Sequence, residues 1–171
     1  MKIFLDTAET DVISKYFSTG LVDGVTTNPT LIRKSGRNPE DVYQEIKDMG
    51  VQDISMEVVG SDLEMYDEGK RLYEKFGDVC TVKVPCTREG LSVCKALSDQ
   101  GVKVNVTLIF SMPQAVLAAK AGATYVSPFV GRLDDQQVAG LEVVRGISAC
   151  IVFTVLELRF SLHPSVQSRE Q

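Results

Sequence analysis

The chain has 171 residues, 44% of them hydrophobic and 24% charged, which suits one globular domain with a real core. Its 18 basic and 23 acidic residues leave a net charge of −5, which excludes the basic footprint of a nucleic-acid binder and marks no particular partner. No stretch approaches the length of a membrane span and no secretory signal is visible, so a cytoplasmic protein with no membrane partner is expected.

In chain order, Lys2-Ile3-Phe4-Leu5 reads as a short strand ending at Asp6. A helix follows, with Val12, Ile13, Tyr16 and Phe17 at helical spacing and Gly20 as its stop. A second strand, about Val22 to Thr26, runs into Thr27-Asn28-Pro29-Thr30. Asn38-Pro39 has the form of an N-cap followed by proline at the first helical position, and Val42, Tyr43, Ile46 and Met49 form that helix's stripe. The third strand is Asp53 to Val58, and Ser61 is placed to cap a helix striped by Met65, Tyr66, Leu72, Tyr73 and Phe76. The fourth strand spans Val79 to Val84, and Thr87 starts a helix striped by Leu91, Cys94 and Leu97. The fifth strand spans Val102 to Thr107, with Ser111 capping an alanine-rich helix that Gly122 ends. The sixth strand spans Thr124 to Ser127, a loop carries Gly131-Arg132, and a last helix covers about Val138 to Ala149.

Strict alternation of strand and helix predicts an α/β fold with a parallel sheet, either doubly wound or part of an eight-fold barrel. The first βα turn lacks Gly-x-Gly-x-x-Gly and no Walker-type loop occurs, which disfavours the nucleotide-binding open sheets. Cys80, Cys86, Cys94 and Cys150 contain no Cys-x-x-Cys pair, and His163 is the single histidine. A Cys/His zinc site is therefore not expected, and reduced, mostly buried thiols are.

The chemistry centres on Thr81-Val82-Lys83-Val84-Pro85. Alternation puts Lys83 opposite Val82 and Val84, so a sheet with a covered inner face would desolvate its ammonium and free the amine for attack on a carbonyl. Polar residues recur at the strand C-termini: Asp6, Asn28, Glu57, Asn105 with Thr107, and Ser127. In a βα barrel that end is where active sites are built. Asp6 or Glu57 would move protons around a Lys83 Schiff base, Asn28, Asn105, Thr107 and Ser127 would hold substrate hydroxyls, and Arg132 would receive a phosphate. Taken singly, Asp6 also suits a helix cap, Asn28 a turn, Glu57 a solvated position and Arg132 a surface loop.

Six motifs in order carry a family resemblance: Leu5-Asp6-Thr7, Gly24-Val25-Thr26-Thr27-Asn28-Pro29-Thr30, Met56-Glu57-Val58, Val82-Lys83-Val84-Pro85, Asn105-Val106-Thr107-Leu108-Ile109-Phe110 and Tyr125-Val126-Ser127-Pro128-Phe129-Val130-Gly131-Arg132-Leu133-Asp134. Over about residues 1–148 the chain resembles the small transaldolases, the group that includes fructose-6-phosphate aldolase. The resemblance implies a (β/α)8 TIM-barrel fold, here cut to about six βα units. It implies Lys83 as the Schiff-base lysine, Asp6 as the carboxylate that transfers protons in C–C cleavage, and Glu57 and Thr107 as holders of a catalytic water. Asn28, Asn105 and Ser127 match contacts to substrate hydroxyls, and Arg132 matches a phosphate contact. The implied reaction moves a dihydroxyacetone unit between sugar phosphates, as in the pentose phosphate pathway, with no metal and no organic cofactor. Glu57 and Phe129 resemble the transferase pattern, where the aldolases tend to carry glutamine and tyrosine.

The resemblance divides the chain into a barrel portion, residues 1–149, and a divergent tail, 150–171. A Ser-x-Arg phosphate motif and two further strands are expected in the family where this tail stands. Codons exist for Leu162-His163-Pro164-Ser165-Val166 that spell Ala-Ser-Ile-Arg one frame over, so the tail is read either as out of frame or as genuinely divergent. Two unpaired sheet edges and an uncovered barrel side would follow, and with them self-association or a homo-oligomer, and doubtful catalysis.

Overall fold

The computed structural model describes residues 2–137 and 139–152, so most of the divergent tail, with its frame question, lies outside the described residues. Six parallel strands pair in sequence order. They are β1 (Phe4–Asp6), β2 (Gly24–Thr26), β3 (Ile54–Glu57), β4 (Cys80–Pro85), β5 (Lys103–Ile109) and β6 (Tyr125–Pro128). The helices between and after them are α1 (Thr10–Phe17), α2 (Pro29–Ser35), α3 (Pro39–Asp48), α4 (Asp62–Phe76), α5 (Arg88–Ser98), α6 (Met112–Lys120), α7 (Val130–Asp135) and α8 (Gly140–Val152). None of the helices among the described residues is long and apolar enough to cross a membrane.

Local chemistry accounts for most helix starts. Asn38 accepts from the Glu40 amide and Pro39 takes the first helical position of α3. Ser61 and Glu64 close a capping box at the head of α4, and Thr87 accepts from the Gly90 amide at the head of α5. Ser111 stands before α6 but caps nothing. Its hydroxyl donates to Gln114 Oε1, the atom that also accepts the Phe110 amide. Asp6 is not a helix cap either: α1 begins after Glu9. The stripe expected on α1 is only partly buried, for Ile13 is covered while Tyr16 is exposed. The last helix starts two residues later than its expected beginning and runs to Val152.

Helices pack on one face of the sheet, with α3 on β3, α4 and α5 on β4, α5 and α6 on β5, and α6 on β6. Val25, Ile54, Met56, Val82, Val84, Val104 and Val106 lie there, all fully buried in the main hydrophobic cluster. The opposite face carries polar rows fixed by register. Glu57 pairs with Lys83, Lys83 with Asn105, and Asn105 with Tyr125. One row below, Thr26 pairs with Ser55, Ser55 with Thr81 and Thr81 with Lys103. The sheet curls until its two edges face each other, and the Phe4 and Tyr125 rings meet edge to face at 5.5 Å. Gly24 makes room for this contact, since a Cβ there would fall 2.3 Å from Phe4 Cε1 and 2.6 Å from the Asp53 carbonyl oxygen. The result is a curled half-barrel.

A buried charge ties the strands together at their N-terminal ends. Asp53 accepts from Thr81 Oγ1 at 2.7 Å and from the Tyr125 hydroxyl at 2.5 Å, and Lys103 Nζ lies 3.4 Å away. Asp53, Lys103 and Tyr125 help line a cavity of about 470 Å³ at the N-terminal mouth. Replacing Asp53 with alanine would leave two buried hydroxyls and a half-buried ammonium without their shared acceptor. Asp53→Ala is expected to lower unfolding stability by about 3 kcal/mol, read by urea denaturation. A loss under about 0.5 kcal/mol would mean the network does not hold the mouth together.

Candidate active site

Lys83 sits at the centre of β4, the strand between β3 and β5, and is only 5% exposed. Gly90 lets α5 close over the end of β4, where a Cβ would lie 2.0 Å from the Pro85 carbonyl oxygen. The buried Nζ has two acceptors. Glu57 Oε2 is 3.1 Å away and the Thr27 backbone carbonyl 3.0 Å away. Glu57 is therefore an ion-pair partner and not a solvated side chain, with 13% of its side chain exposed.

The neighbouring positions form a connected polar floor. Thr26 Oγ1 donates to Asp6 Oδ1 at 2.7 Å, and Thr26 precedes the residue whose carbonyl holds Lys83. Ser127 Oγ donates to Asn105 Oδ1 at 2.8 Å, and Asn105 Nδ2 donates to Ser55 Oγ at 3.2 Å. Thr107 stands one strand step beyond Asn105 on the same face, and its buried hydroxyl has no hydrogen-bond partner among the described residues. Directly after it β5 is irregular, and Leu108 takes φ 60°, a conformation that a non-glycine residue adopts only under local strain.

Asp6, Glu57, Lys83, Asn105, Thr107 and Ser127 thus share the inner face of the sheet. Asn28 lies at the rim as the N-cap of α2, its Oδ1 accepting from the Leu31 amide at 2.9 Å, which leaves the amide nitrogen for another partner. Arg132 departs from expectation. It lies in α7, not in a loop, and it is exposed with its guanidinium 5.8 Å from the centre of the Phe129 ring. Phe129 in turn meets Phe110 edge to face. Sequence reading passed over Ser55, Thr26 and the Thr27 carbonyl. The signal for Ser55 was present, because it lies two residues before Glu57 and so on the same face of β3. A cleft of about 420 Å³ between α2, α3 and α4 reaches Glu57 from the side, past Arg33, Arg37 and Tyr43.

The model of the Transaldolase/Fructose-6-phosphate aldolase family matches residues 3–152. The chain belongs to that family. Among its relatives is a "Probable transaldolase" of Nitrosopumilus maritimus, 53% identical over 148 residues, which are 86% of this chain and 66% of that protein. Others of the same description come from a Ruegeria species, at 54% identity, and from Anaeromyxobacter dehalogenans, at 55%, each over 86% of this chain and 68% of the relative. The chain therefore spans about two thirds of the length of the curated relatives it matches. Its fold, a parallel α/β sheet curled as part of a barrel, suits the TIM-barrel type of the family.

The expectation of mostly buried thiols holds for two of the four cysteines: Cys80 and Cys94 are buried, while Cys86 and Cys150 are partly exposed. Burial pushes the Cys80 and Cys94 thiols up to about 12 and raises that of Cys86 as well. At pH 8 iodoacetamide is expected to leave Cys80 and Cys94 unmodified in the folded protein and to label both after unfolding in urea, read by peptide mapping. Labelling of either at the rate of a free thiol would contradict this packing.

Proposed function

We propose that the chain catalyses transaldolase-type transfer of a dihydroxyacetone unit from a ketose phosphate to an aldose phosphate, with Lys83 as nucleophile. The observation that carries the reading is a buried lysine amine 3.1 Å from a carboxylate on the inner face of a half-barrel. Glu57 takes a proton from Lys83, and the neutral amine attacks the C2 carbonyl of the donor. Loss of water from the carbinolamine, with Glu57 returning the proton, leaves an iminium. Asp6 then removes the C4 hydroxyl proton. The C3–C4 bond breaks, its electrons enter the iminium, and the aldose phosphate leaves while an enamine stays on Lys83. The enamine C3 attacks the acceptor aldehyde, Asp6 gives its proton to the new hydroxyl, and water hydrolyses the imine. The iminium is the electron sink, so the scheme uses neither a metal nor an organic cofactor.

The unpartnered Thr107 hydroxyl supports a water held between Thr107 and Glu57. Asn28, Asn105 and Ser127 take donor hydroxyls, and Arg132 takes the phosphate. Phe129 beside Arg132, together with Glu57, favours transfer over simple fructose-6-phosphate aldolase activity, in which a proton and not an aldehyde captures the enamine. The pathway is then the pentose phosphate pathway and the setting the cytoplasm. Exposed Met112, Val116 and Leu117 on α6 support self-association as a homo-oligomer. A second reading, a chain that keeps the residues without turnover, is favoured by the edges of β1 and β6, which pair with no strand among the described residues.

Borohydride reduction in the presence of fructose 6-phosphate separates these readings. A reduced adduct on Lys83 is expected by intact mass and peptide mapping, and none in Lys83→Met. Glu57→Gln is expected to lower kcat about 100-fold or more with KM little changed. Folded wild-type protein that forms no adduct overturns the proposal.

A further inference from the structure

We propose that Ser55 is a positioning residue that orients the Asn105 side chain beside Lys83. Ser55 is fully buried, between Ile54 and Met56, which face the helices. A serine at a fully covered position has no hydration to keep, so its hydroxyl needs a partner inside the protein. That partner is Asn105 Nδ2 at 3.2 Å. The bond runs from β5 to β3 and so crosses the inner face of β4, between the rows of Thr81 and Lys83. On its far side, Asn105 Oδ1 accepts from Ser127 at 2.8 Å. An amide has two N–H donors and two lone pairs on its oxygen. Ser55 takes one donor and Ser127 fills one lone pair, so one N–H and one lone pair remain, fixed in direction, for a ligand bound above.

Without the Ser55 hydroxyl, the amide is held from one side only and is free to rotate. The catalytic consequence rests on the Schiff-base reading, whereas the orientation does not, so the two are tested separately. The first arm is NMR of the Asn105 side-chain amide in the full chain, assigned by its loss in Asn105→Asp. One Nδ2 proton is expected to exchange slowly in the wild type and at least tenfold faster in Ser55→Ala. Unchanged exchange overturns the proposal. Ser55→Cys, similar in size but a weaker acceptor, is expected to give an intermediate rate and serves if the alanine variant does not fold.

The second arm is kinetic. Ser55→Ala is expected to lower kcat/KM for fructose 6-phosphate about tenfold, in line with the loss of one hydrogen bond, with the KM of the acceptor aldose phosphate unchanged. The double variant Ser55→Ala/Asn105→Ala is expected to be no worse than Asn105→Ala alone. Multiplying defects would show that Ser55 acts independently of Asn105 and overturn the assignment. If the wild type forms no adduct and turns nothing over, the Schiff-base reading fails while the exchange measurement still decides the orientation.

Discussion

A lysine inside a sheet is the constraint on which the rest of this structure depends. Removing an ammonium from water costs several kcal/mol, about the scale of a small domain's whole stability. That cost is offset only by well-placed acceptors, and Lys83 has two, the Glu57 carboxylate and the Thr27 carbonyl. Each comes from a different strand end. The parallel register that brings β3 beside β4 is therefore also what makes the buried charge tolerable. A one-residue slip would turn Lys83 toward the valines under the helices and put Val84 in its place.

The same constraint inverts the usual layout of a core. Most apolar residues lie between the sheet and the helices, while the concave side of the sheet carries polar rows, with the Phe4 ring as an apolar exception at its rim. Polar groups there satisfy each other in layers. Asp53, Thr81, Lys103 and Tyr125 form one network toward the N-terminal mouth, and Ser55, Asn105 and Ser127 form a second that reaches the row of Lys83. Only the buried Thr107 hydroxyl, near the top, is left without a partner among the described residues. A gradient from mutual satisfaction to an open valence is what a binding floor needs, because a group already paired has little to offer a ligand.

How much of this was legible in the sequence follows from the length of each signal. All six strands and the helices α1, α3, α4, α5, α6 and α8 were readable, the helices from apolar or alanine-rich stretches of eight residues or more and the strands from β-branched runs bounded by glycine or polar residues. α2 and α7, with seven and six residues, were not. Each starts directly after a strand, at Asn28-Pro29 and Phe129-Val130, where turn chemistry masks a helix start. Lys83 stood out because a charge interrupts a β-branched run, and Glu57 because it ends one. Ser55 shares the face of Glu57, but that spacing alone does not name its partner, Asn105, two strands away. Arg132 shows the opposite case, since its neighbours fit a phosphate loop while the fold puts it on a short helix against an aromatic ring. The Ser111 cap failed for a local reason, a nearby glutamine that competes for the same groups.

Strand order also sets which parts of the molecule come apart first. β1 and β6 each have one neighbour among the described residues, and the Phe4 and Tyr125 rings meet across the interior. β4 has paired strands on both sides and two long helices, α4 and α5, against its outer face. Thermal fluctuation therefore works inward from the rims, and the strand carrying the lysine is the last to lose its neighbours. Among the described residues, the contact between β1 and β6 can loosen while the geometry around one amine stays intact.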